Sequence, residues 1–207
     1  GAASYADGEA ASAFGANANA TGSTATAIGR AAKALAQSAS ALGDSASASA
    51  WGATALGVGA SARANNSIAV GSAAVTEGQE STALGRRSYA GAQSATALGT
   101  LANASAIVST AVGNGAKASA IQASALGNGA EATGGSSIAI GAKARASGSD
   151  ALASGSNANA SSINAVAVGK DSNSSAVNSI ALGTSSNVSA VSAVVIGTQA
   201  KGTHENS

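Results

Sequence analysis

The sequence predicts an all-β fold, a parallel β-roll whose 14-residue coils stack so that equivalent positions form columns. Three observations predict it. Glycine recurs at Gly15, Gly29, Gly43, Gly57, Gly71, Gly85 and Gly99, then at Gly113, Gly127, Gly141, Gly155, Gly169, Gly183 and Gly197, always 14 residues apart and without an insertion. A strict period of this size marks a solenoid with one coil per repeat. The residues leading into these glycines are nearly the same each time: "NSIAVG" at 66–71, "SSIAIG" at 136–141, "NAVAVG" at 164–169 and "NSIALG" at 178–183. Small and larger residues alternate in two short stretches of every repeat, which is a strand signal.

Each element follows from positions counted back from these reference glycines. The coil 114–127 serves as the example. It opens on a turn formed by the preceding glycine and the two residues after it, where glycine supplies a positive φ at no steric cost. A strand follows from position −11 to position −7, with small Ala116, Ala118 and Ala120 alternating with polar Lys117 and Ser119. A second turn lies at positions −6 and −5, Ile121 and Gln122. The second strand is Ala123–Leu126, again with alternate alanines. Four turns of an α-helix take about 14.4 residues, so the period alone admits a helix. Glycine every fourteenth residue and abundant Ser, Thr and Asn argue against it. The small residues of both strands point to one place, so the coil interior is thin and the two sheets lie close together.

Composition agrees with a thin interior. The 207 residues include one Phe, two Tyr and one Trp, with no Pro, Met or Cys. Alanine therefore does the apolar work that large side chains do in a globular core. Low-complexity Ala/Gly/Ser chains are commonly disordered; the unbroken register is the argument against that here. Ten basic and nine acidic residues leave a net charge of +1, with no patch that points to nucleic acid or anionic lipid. Without cysteine there is no disulfide framework and no thiolate metal site. No run approaches the ~20 apolar residues of a membrane helix, so no membrane contact is expected of this segment. No signal peptide begins it, and any export signal is expected outside it.

Position −1 is the informative one. It holds Phe14, Ile28, Leu42, Leu56, Val70, Leu84, Leu98, Val112, Leu126, Ile140, Val168, Leu182 and Ile196, and Ser154 alone breaks the row. Alternation puts this row outside the coil. Position −3 shares that face and turns apolar toward the C-terminus, as in Val166, Ile180 and Val194. So long an apolar stripe is too contiguous for a soluble monomer, and a lone Ala-filled roll buries little apolar surface. Obligate self-association, with the stripe on the symmetry axis, answers both.

The "NSIALG"-type motif, the 14-residue period and the Ala-rich second strand resemble the YadA-like head of trimeric autotransporter adhesins, over essentially the whole chain. That resemblance implies a left-handed parallel β-roll and a homotrimer with Ile28, Leu42, Leu56, Val70, Leu84, Leu98, Val112, Leu126, Ile140, Val168, Leu182 and Ile196 in the trimer interface. It further implies display on the outer surface of a Gram-negative bacterium, and attachment to host cells or to matrix proteins such as collagen, fibronectin or laminin. Neck, coiled-coil stalk and membrane anchor are missing from 1–207, which reads as one repetitive head fragment. A spacer that holds a separate binding domain away from the cell is the alternative.

Catalytic readings find no support. With one histidine, His204, and no cysteine, no His/Cys metal set can be assembled. The serines lack a positioned base, the carboxylates are scattered, and "GNG" at 113–115 and 127–129 lacks the lysine and helix of a phosphate loop. No cofactor is expected. A hexapeptide-repeat acyltransferase would repeat its apolar residue every six positions, and an ice-binding face would carry a continuous Thr-x-Thr column; Thr24 and Thr26 stand alone. Five Asn-x-Ser/Thr triplets, at Asn19, Asn103, Asn159, Asn173 and Asn187, share position −10 and read as small polar residues facing water. The outward residues that break the polar monotony, Tyr5, Trp51, Arg86, Arg87 and Tyr89, are the candidates for ligand contact.

Overall fold

Alanine at alternate positions gives each coil an inner side with little room for anything larger, and the chain folds accordingly. The structure is a computed structural model and describes residues 3–204. It is an all-β parallel solenoid, and the residues divide into two units, 1–104 and 105–207. Each coil contributes one three-residue strand and one two-residue strand. In the first unit the three-residue strands run from Ser12–Phe14 to Thr96–Leu98 and the two-residue strands from Tyr5–Ala6 to Asn103–Ala104. In the second they run from Thr110–Val112 to Val194–Ile196 and from Lys117–Ala118 to Lys201–Gly202. Like strands pair in parallel with a shift of one repeat: Ile68 opposite Thr82, Val70 opposite Leu84, Ile180 opposite Val194.

The interior is built from positions −11, −9, −4 and −2. Ala18, Ala20, Ala25 and Ala27 are fully buried, as are Ala116, Ala118, Ala123 and Ala125. Where serine replaces alanine inside, its hydroxyl in most cases finds a turn carbonyl, Ser137 being an exception whose buried Oγ has no partner. At position −4, Ser67, Ser81, Ser109 and Ser179 donate to the carbonyl three residues earlier at 2.6–2.7 Å. At position −11, Ser88, Ser172 and Ser186 donate to the carbonyl of the preceding reference glycine at 2.8–2.9 Å. A buried hydroxyl costs little once so bonded. Larger residues enter only with compensation. Val188 and Val195 are buried near the end of the second unit, and a Cβ on Gly202 would lie 2.5 Å from Cγ2 of Val195.

The strand expected over positions −11 to −7 is shorter, two residues at positions −10 and −9. The chain bends there because both corners are tight β-turns. The amide at position −4 donates to the carbonyl at −7, as Ala123 N to Ala120 O at 3.1 Å, and the amide at −11 to the reference glycine, as Ala130 N to Gly127 O at 3.3 Å. The third residue of each turn has φ near +57°, which defines type II. Composition gave no warning of this: Ala31, Leu101, Val108, Lys143 and Gln199 all adopt it. A non-glycine residue there costs about 1 kcal/mol or more. The stacking explains why it is tolerated. A type II turn aligns its middle peptide with the coil axis, so that peptide extends the ladder from coil to coil: Lys143 N bonds Asn128 O at 2.9 Å, and Ser136 N bonds Ile121 O at 2.9 Å.

The reference glycines are required for two reasons. Gly127 has φ +140°, and a Cβ placed on it would lie 2.5 Å from the carbonyl oxygen of Gly141 in the next coil. Gly115, by contrast, has φ +63°, and a Cβ there would meet nothing within 4 Å. Gly127→Ala is therefore expected to lower the melting temperature sharply, and Gly115→Asn to change it by a few degrees at most. Thermal unfolding of the two variants by circular dichroism checks this; equal effects would contradict it.

Candidate interaction surfaces

The two strands of each coil present two outward faces of opposite character. On the three-residue strand, positions −3 and −1 face out while the alanine between them is buried. The predicted row lies on this face. Ile28, Leu56, Leu84, Leu98, Leu126, Ile140 and Ile196 are exposed, and Leu42, Val70, Val112, Val168 and Leu182 are half-exposed. Position −3 adds Ile68, Ile138 and Val194, all exposed, and Leu152, Val166 and Ile180, half-exposed. In the coil 142–155, Leu152 and Ser154 both stand on this face.

The face of the two-residue strand is polar. Asn159 Nδ2 donates to Asn173 Oδ1 at 2.7 Å, and Asn173 Nδ2 to Asn187 Oδ1 at 2.8 Å. Three of the five Asn-x-Ser/Thr asparagines thus form a half-buried amide ladder instead of facing water freely. Asn19 stands between Tyr5 and Lys33 in its column and is not in that ladder; its buried Oδ1 has no hydrogen-bond partner. Oppositely charged neighbours in adjacent coils pair across the stack: Arg145 Nη2 to Glu131 Oε2 at 2.8 Å, and Arg63 Nη1 to Glu77 Oε1 at 2.6 Å. Pairs this exposed contribute at most about 1 kcal/mol each.

The candidate ligand contacts do not form one site. Tyr5 and Trp51 are exposed, 55% and 49%, and Arg86 and Arg87 are exposed on a turn. Tyr89 differs from its expected solvent-facing role: it is half-buried and bonded within the fold. Its hydroxyl donates to Glu77 Oε2 at 2.7 Å, while Arg63 holds the other carboxylate oxygen. Gly91 makes this possible, since a Cβ there would lie 2.5 Å from the Tyr89 ring. The tyrosine hydrogen bond, ahead of the arginine, holds the Glu77 carboxyl below its ordinary pKa, and the same bond raises that of Tyr89. No sequence motif links residues 77 and 89; adjacent coils bring them together. The surface of the described residues carries no pocket, and no group of three His, Cys, Asp or Glu among them could hold a metal ion.

Sequence reasoning also missed a column. Position −6, on the outside of the second turn, is polar through most of the first unit but holds Ile107, Ile121, Ile163, Val177 and Val191 in the second, all exposed. Reading that single position down the repeats would have found it.

Comparison with known proteins finds one matching family. The family described as "YadA head domain repeat (2 copies)" matches eleven overlapping windows that together cover residues 6–46, 48–172 and 174–200. Among solved structures, the collagen-binding domain of Yersinia adhesin YadA is similar at 24% identity, covering 95% of this chain and 71% of that one, with a TM-score of 0.32. No curated protein matches.

Two outcomes test these surfaces. Tyr89→Phe removes a donor that favours the ionised carboxylate, so the Glu77 pKa is expected to rise toward its ordinary value; NMR titration of the Glu77 carboxyl reads it, and an unchanged value would contradict the bond. Ser154→Val restores the apolar row and is expected to leave the melting temperature unchanged or higher. A loss of several degrees would count against an apolar environment at that position.

Proposed function

Because the chain belongs to the family of YadA head-domain repeats, we propose that it is the head segment of a homotrimeric surface adhesin. Head domains of this family are the surface-exposed parts of autotransporters, and this one is displayed from the outer membrane of a Gram-negative bacterium. The observation that carries the reading is the division between the two faces. The apolar row of each unit needs a partner, and a polar, repetitive, pocket-free face is left for a ligand. Three copies bring their three-residue strands together, so that the row from Ile28 to Ile196 lies on the axis. Such closed symmetry repeats one patch on every copy.

The polar face of each copy then looks outward, with Tyr5 on it and Trp51, Arg86 and Arg87 on the turns as contacts. A surface without a pocket does not suit a small molecule. Shallow contacts repeated along the coils and around the axis add through effective concentration. That favours an extended, repetitive matrix protein of the host, a collagen-like fibre before a compact globular one such as a laminin or fibronectin module. No chemistry is assigned to the head.

Leu182→Asp would set three unpaired carboxylates at the axis, and the expected result is dissociation or unfolding. A fully folded trimer in sedimentation and circular dichroism would refute the axial placement. For the ligand, the wild-type fragment is expected to bind immobilised collagen, and deleting whole coils is expected to weaken binding gradually. Arg87→Ala alone should change it little. Abrupt loss on Arg87→Ala with the trimer intact would replace distributed binding by one discrete site. No binding to any matrix protein in a panel would make the segment a spacer.

A further inference from the structure

Position −6 is the second residue of the type II turn that leads into the three-residue strand. In the second unit the turn Ser162–Ala165 is closed by Ala165 N to Ser162 O at 3.1 Å, with Asn164 at φ +56°, and it carries Ile163 at its corner. Ile107, Ile121, Ile163, Val177 and Val191 are 47%, 56%, 53%, 39% and 43% exposed. Backbone bonds stack these corners: Gln122 N to Ile107 O, Asn178 N to Ile163 O and Ser192 N to Val177 O, each at 3.0 Å. Five branched apolar residues on the rim of a solvated solenoid would be a liability if nothing covered them.

What covers them can be read from their relation to position −3, three residues further on and on the axial face. Where position −3 is small and polar, at Thr110 and Ser124, position −6 is isoleucine, at Ile107 and Ile121. Where position −3 is large, at Ile138 and Leu152, position −6 is Gly135 and Ser149. In the last three coils both are apolar. Each coil of the second unit thus has at least one large apolar residue between the two columns, and in four consecutive coils they exchange size. Columns that trade volume fill one shared space.

The exchange changes level from coil to coil, at a rise of about 4.8 Å. A partner that fills it must keep the same levels. Another copy of this chain does so by symmetry, since every copy places each coil at the same height. A foreign fibre has no reason to share that register. Positions −6, −3 and −1 of the second unit also hold no charged residue, so nothing selects an oppositely charged partner.

We propose that in residues 105–197 the contact between copies does not stop at the axial face but wraps around the turn, so that Ile107, Ile121, Ile163, Val177 and Val191 pack against a neighbouring copy. The first unit, with Glu9, Ser23, Gln37, Asn65, Gln79 and Gln93 at position −6 and Trp51 as its single large apolar residue there, keeps the narrower contact. The second unit therefore holds the trimer together. The inference rests on the trimeric reading above and deepens it.

The absence of native cysteine makes thiol labelling a clean test. Ile163→Cys, Leu182→Cys and Thr184→Cys are introduced singly into the full chain, kept reduced, and reacted with a maleimide in the native and the denatured state. Thr184, on the exposed opposite turn, is the accessible reference. The expected result is that Cys at 163 and Cys at 182 both react roughly tenfold or more slowly than Cys at 184 in the native protein, as desolvated interface positions do, and at equal rates once denatured. Protection at 182 with fast labelling at 163 overturns the wrapped contact and leaves the trimer standing. Fast labelling at 182 overturns the trimer and with it this inference. As a second measurement, the Ile163→Ser, Val177→Ser double variant should dissociate at a higher protein concentration than wild type in sedimentation. Val58→Ser, which removes an equally exposed apolar residue outside the column, should not. Equal behaviour of the two variants overturns the proposal.

Discussion

The whole structure depends on the closeness of its two sheets. Each coil brings its strands so near that the interior accepts a methyl group and little more, which is why Ala27, Ala69, Ala125 and Ala167 are fully buried without a large neighbour. Burying a methyl group is worth under about 1 kcal/mol. A coil built this way gains little from its own core, and the stabilising work passes to the contacts between coils.

Between coils the backbone carries that work. Strands contribute a few rungs each, and the turns contribute more because their type II geometry turns the middle peptide into a further rung. This accounts for the run of alanine, serine, lysine and leucine residues with φ near +57°. The local strain is offset by hydrogen bonds repeated from coil to coil within each unit. Side chains reinforce the same direction: the amide ladder from Asn159 to Asn187 and the ion pairs Arg63–Glu77 and Glu131–Arg145 all join one coil to the next. In a repeat protein, stability is a sum of such nearest-neighbour terms.

The outward faces divide the remaining tasks. With the interior reserved for small residues, the large apolar side chains other than Val188 and Val195 stand outside, and the sequence gathers most of them on the three-residue strand and, in the second unit, on the turn that leads into it. That concentrates the need for a partner on one face and leaves the other, rich in Ser, Thr and Asn, in water. The two faces can then change on different columns of one repeat without disturbing each other.

Periodicity made the architecture legible before any coordinate was known. Gly15 through Gly197 set the coil, the alternate alanines set inside and outside, and the row from Ile28 to Ile196 announced a face in need of burial, because in a strand each side chain's direction follows from parity alone. What parity cannot carry is geometry that depends on the stack. Leu101 and Lys143 give no hint of a left-handed backbone conformation, and they adopt it because the coil below offers a carbonyl to bond. Tyr89 meets Glu77 because coils lie one strand spacing apart, which joins residues that no local pattern connects. The sequence by itself determined the coil, its period and its two faces; the turns and the side-chain ladders were decided only by stacking, since each exists between coils and not within one.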